Sequence, residues 1–358
     1  MNFDLSEEQQ LLQQTLGQFL ENECAAPLVR EIFEGETGFD PALWKGMVEL
    51  GLAGLHLPEE YGGAGLELID LALAAETLGR AGAPGPFFGH ALASLAIRLG
   101  GSEEQQSRWL PRLAGGDAIG TVALGEGGGL WQPEEWTLAG DGKLSGSKLH
   151  VPYASLAEVI VVGVAGGGLV LVERSAPGVE IAPVGGVDRS RRLDVLDLDG
   201  APCEALPEGR NAAPRVRDAG LVLLAADAFA AGSRLVEMSV EYAKTREQFG
   251  VTIGHFQALK HQLVDMAVEV EPARALTWYA AHAFDHIPEE AVRAAALAKA
   301  HLTDIAMRVA RAAVEAHGGI GFTWECDVQI WFKRAMFDRA FLGTPAVHRE
   351  RAAQLAGW

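Results

Sequence analysis

From Leu221 onward the apolar residues of this chain fall into long helical stripes, and these constrain the fold more than any other feature. Leu221, Leu224, Ala228, Ala231, Leu235, Met238 and Tyr242 step by three and four. After a break at Phe249-Gly250, the step resumes through Phe256, Leu259, Leu263, Met266 and Val270, and Pro272 predicts a kink in that second helix. A third helix is predicted from Pro288, at its N1 position, to Ala316, with a shorter pair after it. Such helices, joined by short connections, cannot bury their stripes alone. The expectation for 218–358 is an antiparallel four-helix bundle. Leu221-Val-Leu-Leu224 is apolar on more than one face, which predicts burial between subunits in a dimer or tetramer.

Upstream the chain changes character twice. Ser6 followed by Gln9 has the form of a capping box, with Leu12, Leu16, Phe19 and Leu20 at helical spacing behind it. Trp44, Met47, Val48 and Leu52 make another face, and LHLPEEYGGAGL is a punctuated loop before a helix near Leu66 to Leu78. Ser102 caps a short helix over 103–113. Residues 1–115 therefore read as a helical domain. Over 116–205 the runs TVALGE, KLHVPY, EVIVVGV, GLVLVE and VEIAPV are short and β-rich, and Asp141-Gly142 is a hairpin signal. They predict a small antiparallel sandwich or barrel. The stretch ALPEGRNAAPRVRDAG after them lacks periodicity and reads as a connection. The fold class is α+β, mostly α, with a small β-domain between two helical ones.

Composition narrows the function. With 48 acidic and 29 basic residues in 358, the net charge of −19 argues against nucleic acid or an anionic membrane as partner. No apolar run reaches the roughly 20 residues of a membrane span, and the N-terminus lacks the charge and apolar block of a signal peptide. Cys24, Cys203 and Cys326 lie far apart, with no CxxC pair. They suit a reducing cytoplasm and give no metal signature.

Two segments ask for a ligand. AHGGIGFTWECD ends a helix with Gly318, Gly319 and Gly321, where one glycine would suffice as a C-cap. Either it is a plain interhelix turn, or something comes close to bare backbone. In EYAKTREQFGVTIGHFQALKHQL, Arg246 ends one helix, Phe249-Gly250 turn, and Gln257 opens the next. A guanidinium beside an aromatic face and an amide suits a diphosphate with a planar base. Its bland alternative is a helix-end charge serving the dipole.

In combination the motifs become specific. PEEYGGAGL, YAKTREQFG, HFQALKHQLVDM and AHGGIGFTWECD occur in this order, within the helix–β–helix layout, over nearly the whole chain. Together they closely resemble the acyl-CoA dehydrogenase family of flavoproteins. The resemblance implies FAD at a subunit interface, an acyl-CoA substrate and an electron-transfer acceptor. Carried over by position, Arg246 is the diphosphate partner and Phe249 an adenosine-side contact, with Gln257 beside them. Gly318 and Gly319 are the backbone that FAD approaches, and Glu315 replaces the family's glutamine there.

The family's chemistry is α,β-desaturation, in which a glutamate removes the α-proton and the flavin accepts a hydride. Its usual Tyr-Glu-Gly-Thr segment reads Phe341-Leu342-Gly343-Thr344 here, so the base position is Leu342. The family's other base position falls at or beside Gly220. The nearest acids are Asp218 and Asp338, and no residue is assigned as the base. The flavin-contacting hydroxyls of two β-domain segments are also absent: one reads Leu124-Gly125-Glu126-Gly127-Gly128-Gly129-Leu130-Trp131, the other Lys148-Leu149-His150-Val151-Pro152. The resemblance thus implies that the flavin-facing half of a site is eroded, while the half that serves a neighbour's FAD is largely kept. That asymmetry resembles the non-catalytic partner in heteromeric α2β2 acyl-CoA dehydrogenases of bacterial steroid and related side-chain oxidation. The alternatives are a self-sufficient flavin oxidoreductase with an unaligned base, and a redox-inactive homologue that binds acyl-CoA or a partner.

Overall fold

In the computed structural model, which describes residues 4–358, the chain is mostly helical with a small sheet region. The first helices are α1 (Glu7–Glu23), α2 (Ala26–Glu34), α3 (Pro41–Glu49), α4 (Leu68–Ala81), α5 (Phe87–Gly100) and α6 (Glu103–Ala114). Ser6 and Ser102 each accept from the backbone three residues on, and Gln9 and Gln105 reciprocate, so both capping boxes form. The strands are β1 (Gly120–Ala123), β2 (Lys143–Pro152), β3 (Val159–Val164), β4 (Gly168–Glu173), β5 (Val179–Val184), β6 (Leu193–Pro202) and β7 (Glu204–Ala205). Then come α7 (Gly209–Thr245), β8 (Glu247–Gln248), β9 (Val251–Thr252), α8 (Gln257–Val270), α9 (Arg274–His286), α10 (Pro288–His317), α11 (Val328–Ala340) and α12 (Pro345–Leu355).

Packing groups these elements into two compact units. One gathers the residues up to Arg30, Ala72–Ala83 and Leu221–Trp358. Within it α10 packs against α8, α9, α11 and α12. Gly232 lets α7 approach closely, since a Cβ there would stand 3.3 Å from Val270. Pro272 sits in a short 3-10 turn, Glu271–Ala273, that separates α8 from α9. The predicted kink is therefore a break. Fully buried Arg334 donates to Asp227 at 3.2 Å and to the carbonyls of Gly82 and Ala83 at 3.2 and 3.0 Å, tying α11 to α7 and the end of α4.

The other unit comprises Glu31–Leu71 and Pro84–Gly220. Its strands form a sheet of order β1-β3-β4-β7 and a second of order β2-β6-β5. They share one core that includes Leu144, Val151, Ile160, Val162, Val172, Leu196 and Leu198. Three expectations need correction. β1 pairs with β3 in parallel, so the first sheet is mixed. Asp141-Gly142 leads into β2 without a strand before it, because β2 takes β6 as its partner. The aperiodic stretch from Gly209 is the start of α7, Pro214 included; burial of Ala212, Ala213, Val216 and Ala219 overrides the weak pattern. By length and composition α7 could cross a membrane, yet 89% of its most apolar stretch is buried inside the protein.

Candidate functional site

Residues expected to meet a cofactor collect at the ends of three helices. Arg246 follows the last turn of α7 and its N–H still reaches Tyr242 O at 2.8 Å. Behind it β8 and β9 form a two-residue hairpin in which Phe249 (φ +57°) and Gly250 (φ +79°) both take the left-handed conformation. Such a turn matches the strand twist, but a phenylalanine there is strained. The Phe249 ring is 90% exposed and touches Phe256 edge-on at 6.0 Å. Arg246 is exposed, and no described residue pairs with its guanidinium. Gln257 opens α8 and is exposed too.

The end of α10 completes this surface. The Tyr242 ring stacks on His317 at 4.4 Å and 24°, joining the last turns of α7 and α10. Burial lowers the His317 pKa, so the stacked imidazole stays neutral at neutral pH. Gln262 of α8 lies 3.4 Å from both Ala312 O and Glu315 Oε2, which places exposed Glu315 beside α8. The three glycines that follow have three different causes. Gly318 adopts φ +65°, ψ −144°, a conformation for glycine alone. A Cβ on Gly321 would stand 2.4 Å from Val314 O, so close packing requires it. Gly319 has neither reason, since a Cβ there would meet nothing among the described residues.

Both positions at which the resemblance expects a base are apolar and closed. Leu342 is fully buried at φ +57°, and His348 Nε2 donates to its carbonyl at 2.9 Å. Gly220 lies buried within α7. Asp218 is buried in an ion pair with Arg217 (3.0 Å), whose Nη1 also donates to Gln132. Asp338 is fully buried, and Lys299 Nζ donates to its carbonyl. Burial pulls the Lys299 pKa down to about 7 against the opposing attraction of Asp338. Neither acid faces solvent.

In the strand-containing unit, Glu126 accepts from Lys148 Nζ (2.6 Å), Thr137 N and Oγ1 (2.8 and 2.6 Å) and Leu138 N (3.1 Å). Burial opposes its charge, but these donors outweigh it and hold the pKa near 2. Glu126 is therefore a structural anchor. Beside it, the Trp131 ring lies 2.8 Å from where a Cβ on Gly125 would sit. His150, at φ +57° in an irregular stretch of β2, stacks on that indole at 5.9 Å and 29°. Pro152 is buried, and its carbonyl accepts from Thr121 Oγ1. The two segments that lack hydroxyls are thus covered by a Trp131–His150 stack. The sequence pointed to the missing hydroxyls but gave no sign that an indole packs between the two segments. Among the described residues no group of His, Cys, Asp or Glu is placed to hold a metal.

Family models match both helical parts: acyl-CoA dehydrogenase N-terminal domain over residues 6–117 and C-terminal domain over 215–356. The chain belongs to the acyl-CoA dehydrogenase family. It is 35% identical to the acyl-CoA dehydrogenase IpdE2 of Mycolicibacterium smegmatis, over 95% of this chain and 96% of that one. Among solved structures it is similar to the Tcur3481-Tcur3483 steroid ACAD, with TM-score 0.91, 32% identity and 98% coverage of both chains. It is also similar to the ChsE4-ChsE5 complex from Mycobacterium tuberculosis, with TM-score 0.90, 28% identity, and 100% of this chain and 99% of that one covered.

Acyl-CoA dehydrogenases are oxidoreductases whose cofactor is FAD. The residues present fit that group unequally. The surface of Arg246, Phe249, Gln257, Gly318 and Gly319 offers an unused guanidinium, an exposed ring and open backbone, as a dinucleotide's ADP half requires. In the segments where the resemblance expects flavin-facing hydroxyls, the Trp131 ring instead packs beside Gly125.

Proposed function

We propose that this chain is the non-catalytic subunit of a heteromeric, FAD-dependent acyl-CoA dehydrogenase, paired with a homologous catalytic subunit in an α2β2 assembly. It completes the neighbour's FAD site and supplies no base of its own. One observation carries the reading: Trp131 packs where a side chain on Gly125 would sit, while Arg246 and Phe249 stand exposed, no described residue pairs with the guanidinium, and a Cβ on Gly319 would meet nothing among the described residues.

Within the assembly, FAD supplies the hydride acceptor for α,β-desaturation of an acyl-CoA thioester. This chain's part is to bind and orient. Arg246 makes a charge-assisted contact with the diphosphate, its planar fork matching two oxygens. Phe249 covers the adenosine side and Gln257 supplies an amide at the start of α8. Gly318 and Gly319 admit the dinucleotide to bare backbone, and Glu315 keeps its charge turned toward Gln262. Likeness to a steroid ACAD supports a steroid-derived acyl group, and likeness to the ChsE4-ChsE5 complex supports the heteromer. Electrons pass onward to an electron-transfer acceptor, and the location is cytoplasmic.

Flavin content tests the reading. Expressed alone, the chain is expected to purify colourless. Co-expressed with the homologous subunit that co-purifies with it from its host, it is expected to yield a yellow complex with one FAD per pair. A chain that retains stoichiometric FAD alone, or a complex that never holds flavin, overturns it.

A further inference from the structure

A loop with glycine at three of four positions is costly to hold in one shape, yet a surface that receives a dinucleotide gains affinity only if it is set beforehand. The segment between α10 and α11 opens with a short 3-10 helix, Gly318–Phe322, and is tied to its surroundings by side chains. Gln329 Nε2 donates to Gly321 O at 2.6 Å, and Thr323 Oγ1 donates to Ile320 O at 2.9 Å. The strongest tie comes from a distant part of the chain. Arg30, on α2, donates through Nε and Nη2 to Asp327 Oδ1 at 3.0 and 2.7 Å and through Nη1 to Trp324 O. Its guanidinium also lies 4.6 Å over the Trp324 ring, and Lys333 Nζ is 5.6 Å from that ring's centre. The Arg30 side chain is only 19% exposed, although its partner Asp327 is 43% exposed. Val29, its neighbour on α2, is fully buried and anchors the helix. A Cβ on Gly318 or Gly319, by contrast, would meet nothing within 4 Å among the described residues.

We propose that Arg30 is a positioning residue: by clamping Trp324 and Asp327 it holds Gly318 and Gly319 in the shape that receives the dinucleotide. It acts on FAD affinity through the loop, without touching the cofactor. The inference rests on the function proposed above.

The test uses the complex co-purified with its partner subunit, titrated with FAD, and hydrogen exchange of residues 317–325 in the chain alone. Arg30→Ala is expected to weaken FAD binding on the order of tenfold, about one decade per 1.4 kcal/mol, and to speed exchange in that loop but not in α10. Arg30→Lys should recover only part, because a point charge cannot span Asp327 and Trp324 O together. Combined with Gly319→Ala, Arg30→Ala should be less than multiplicative, since both act on one loop; combined with Arg246→Ala it should multiply. If Arg30→Ala folds poorly, Asp327→Asn breaks the same clamp from the other side and should give the same two readouts at smaller size. A fall in melting temperature with FAD affinity and loop exchange unchanged overturns the inference while leaving the site intact. If Gly319→Ala and Arg246→Ala also leave FAD affinity unchanged, the dinucleotide surface itself is wrong and the clamp falls with it.

Discussion

The Trp131 ring and the α-carbon of Gly125 exclude one another's alternatives: any side chain on Gly125 would meet the indole at 2.8 Å and Leu149 O at 2.8 Å. The second obstacle is backbone and cannot swing aside. Gly125→Thr, which restores a hydroxyl of the family's flavin segment, should destabilise the chain by about 1–3 kcal/mol through overpacking. Combining it with Trp131→Ala should recover only part of the loss, because Leu149 O remains. Urea unfolding of the two variants measures this; an unchanged midpoint for Gly125→Thr would mean that the indole is not seated there.

Leu342→Glu restores the family's base in name only. The side chain is fully buried, at a left-handed residue, so a carboxylate there enters an apolar site. The chain alone should gain no acyl-CoA desaturation with an electron acceptor present, and its melting temperature should fall. Turnover by the isolated variant would show that the base was all the chain lacked.

Much of this was legible in the sequence because it rests on local rules. Both serine capping boxes and Pro288 at the first turn of α10 follow from spacing and proline chemistry, and Pro272 marked a disturbance between α8 and α9, though as a kink where the chain has a break. The site's helix ends were legible for the same reason. What escaped depends on contacts distant in sequence. Nothing local predicts that Ala212, Val216 and Ala219 are buried tightly enough to make 209–220 helical around Pro214. The parallel pairing of β1 with β3 is set by register across 38 residues or so of chain, between Thr121 and Ile160 for example. The packing of Trp131 beside Gly125 and His150 depends on contacts that the sequence does not mark. The three glycines looked equivalent, and only their φ angles and surroundings separate their causes.

Phe249 should show opposite effects on stability and assembly. In the isolated chain the exposed ring gains little from burial and the left-handed backbone is a cost. Phe249→Asn, which tolerates that conformation, should raise the isolated chain's stability by about 0.5–1 kcal/mol. The same variant should weaken FAD retention in the complex severalfold, because the ring that meets the adenosine side is gone. Thermal melts of the chain and FAD titration of the complex give the two signs; a loss in both would make Phe249 an ordinary structural residue.

Acid should unfold the strand-containing unit early. Desolvation holds His56 down to about 3, with Arg98 and His90 adding repulsion, and desolvation holds His90 down to about 4. His90 is fixed as the neutral form: Nε2 donates to Ala53 O at 3.1 Å, while Nδ1 accepts from Gly120 N at 3.3 Å. Both ring nitrogens of buried His56 lack a partner among the described residues. An unfolded histidine titrates near 6.5, so below that pH the unfolded chain takes up protons that the fold refuses. Stability should be full above about pH 6.5 and fall by about 1–2 kcal/mol per histidine between pH 6.5 and 5. His56→Leu should flatten that slope and stabilise the chain at pH 5 more than at pH 7.5. Urea midpoints at the two pH values decide it, and equal shifts at both would place the acid sensitivity elsewhere.

Arg246 is the residue on which the shared cofactor surface depends most. Its guanidinium is exposed and pairs with no described residue, so removing it leaves no described buried partner stranded. If it meets a neighbour's FAD diphosphate, the contact is charge-assisted, worth about 1.5–3 kcal/mol. Arg246→Ala should then weaken FAD retention by the complex on the order of ten- to a hundredfold. Arg246→Lys should restore only part, since an ammonium cannot reproduce the planar fork. A helix-end charge serving only the α7 dipole makes a different forecast: about 0.3–1 kcal/mol of stability and no effect on FAD. Titrating FAD into apo-complex of wild type and both variants separates the two. Equal affinities, with only a small fall in melting temperature, would return Arg246 to that structural role and remove the diphosphate from this end of α7.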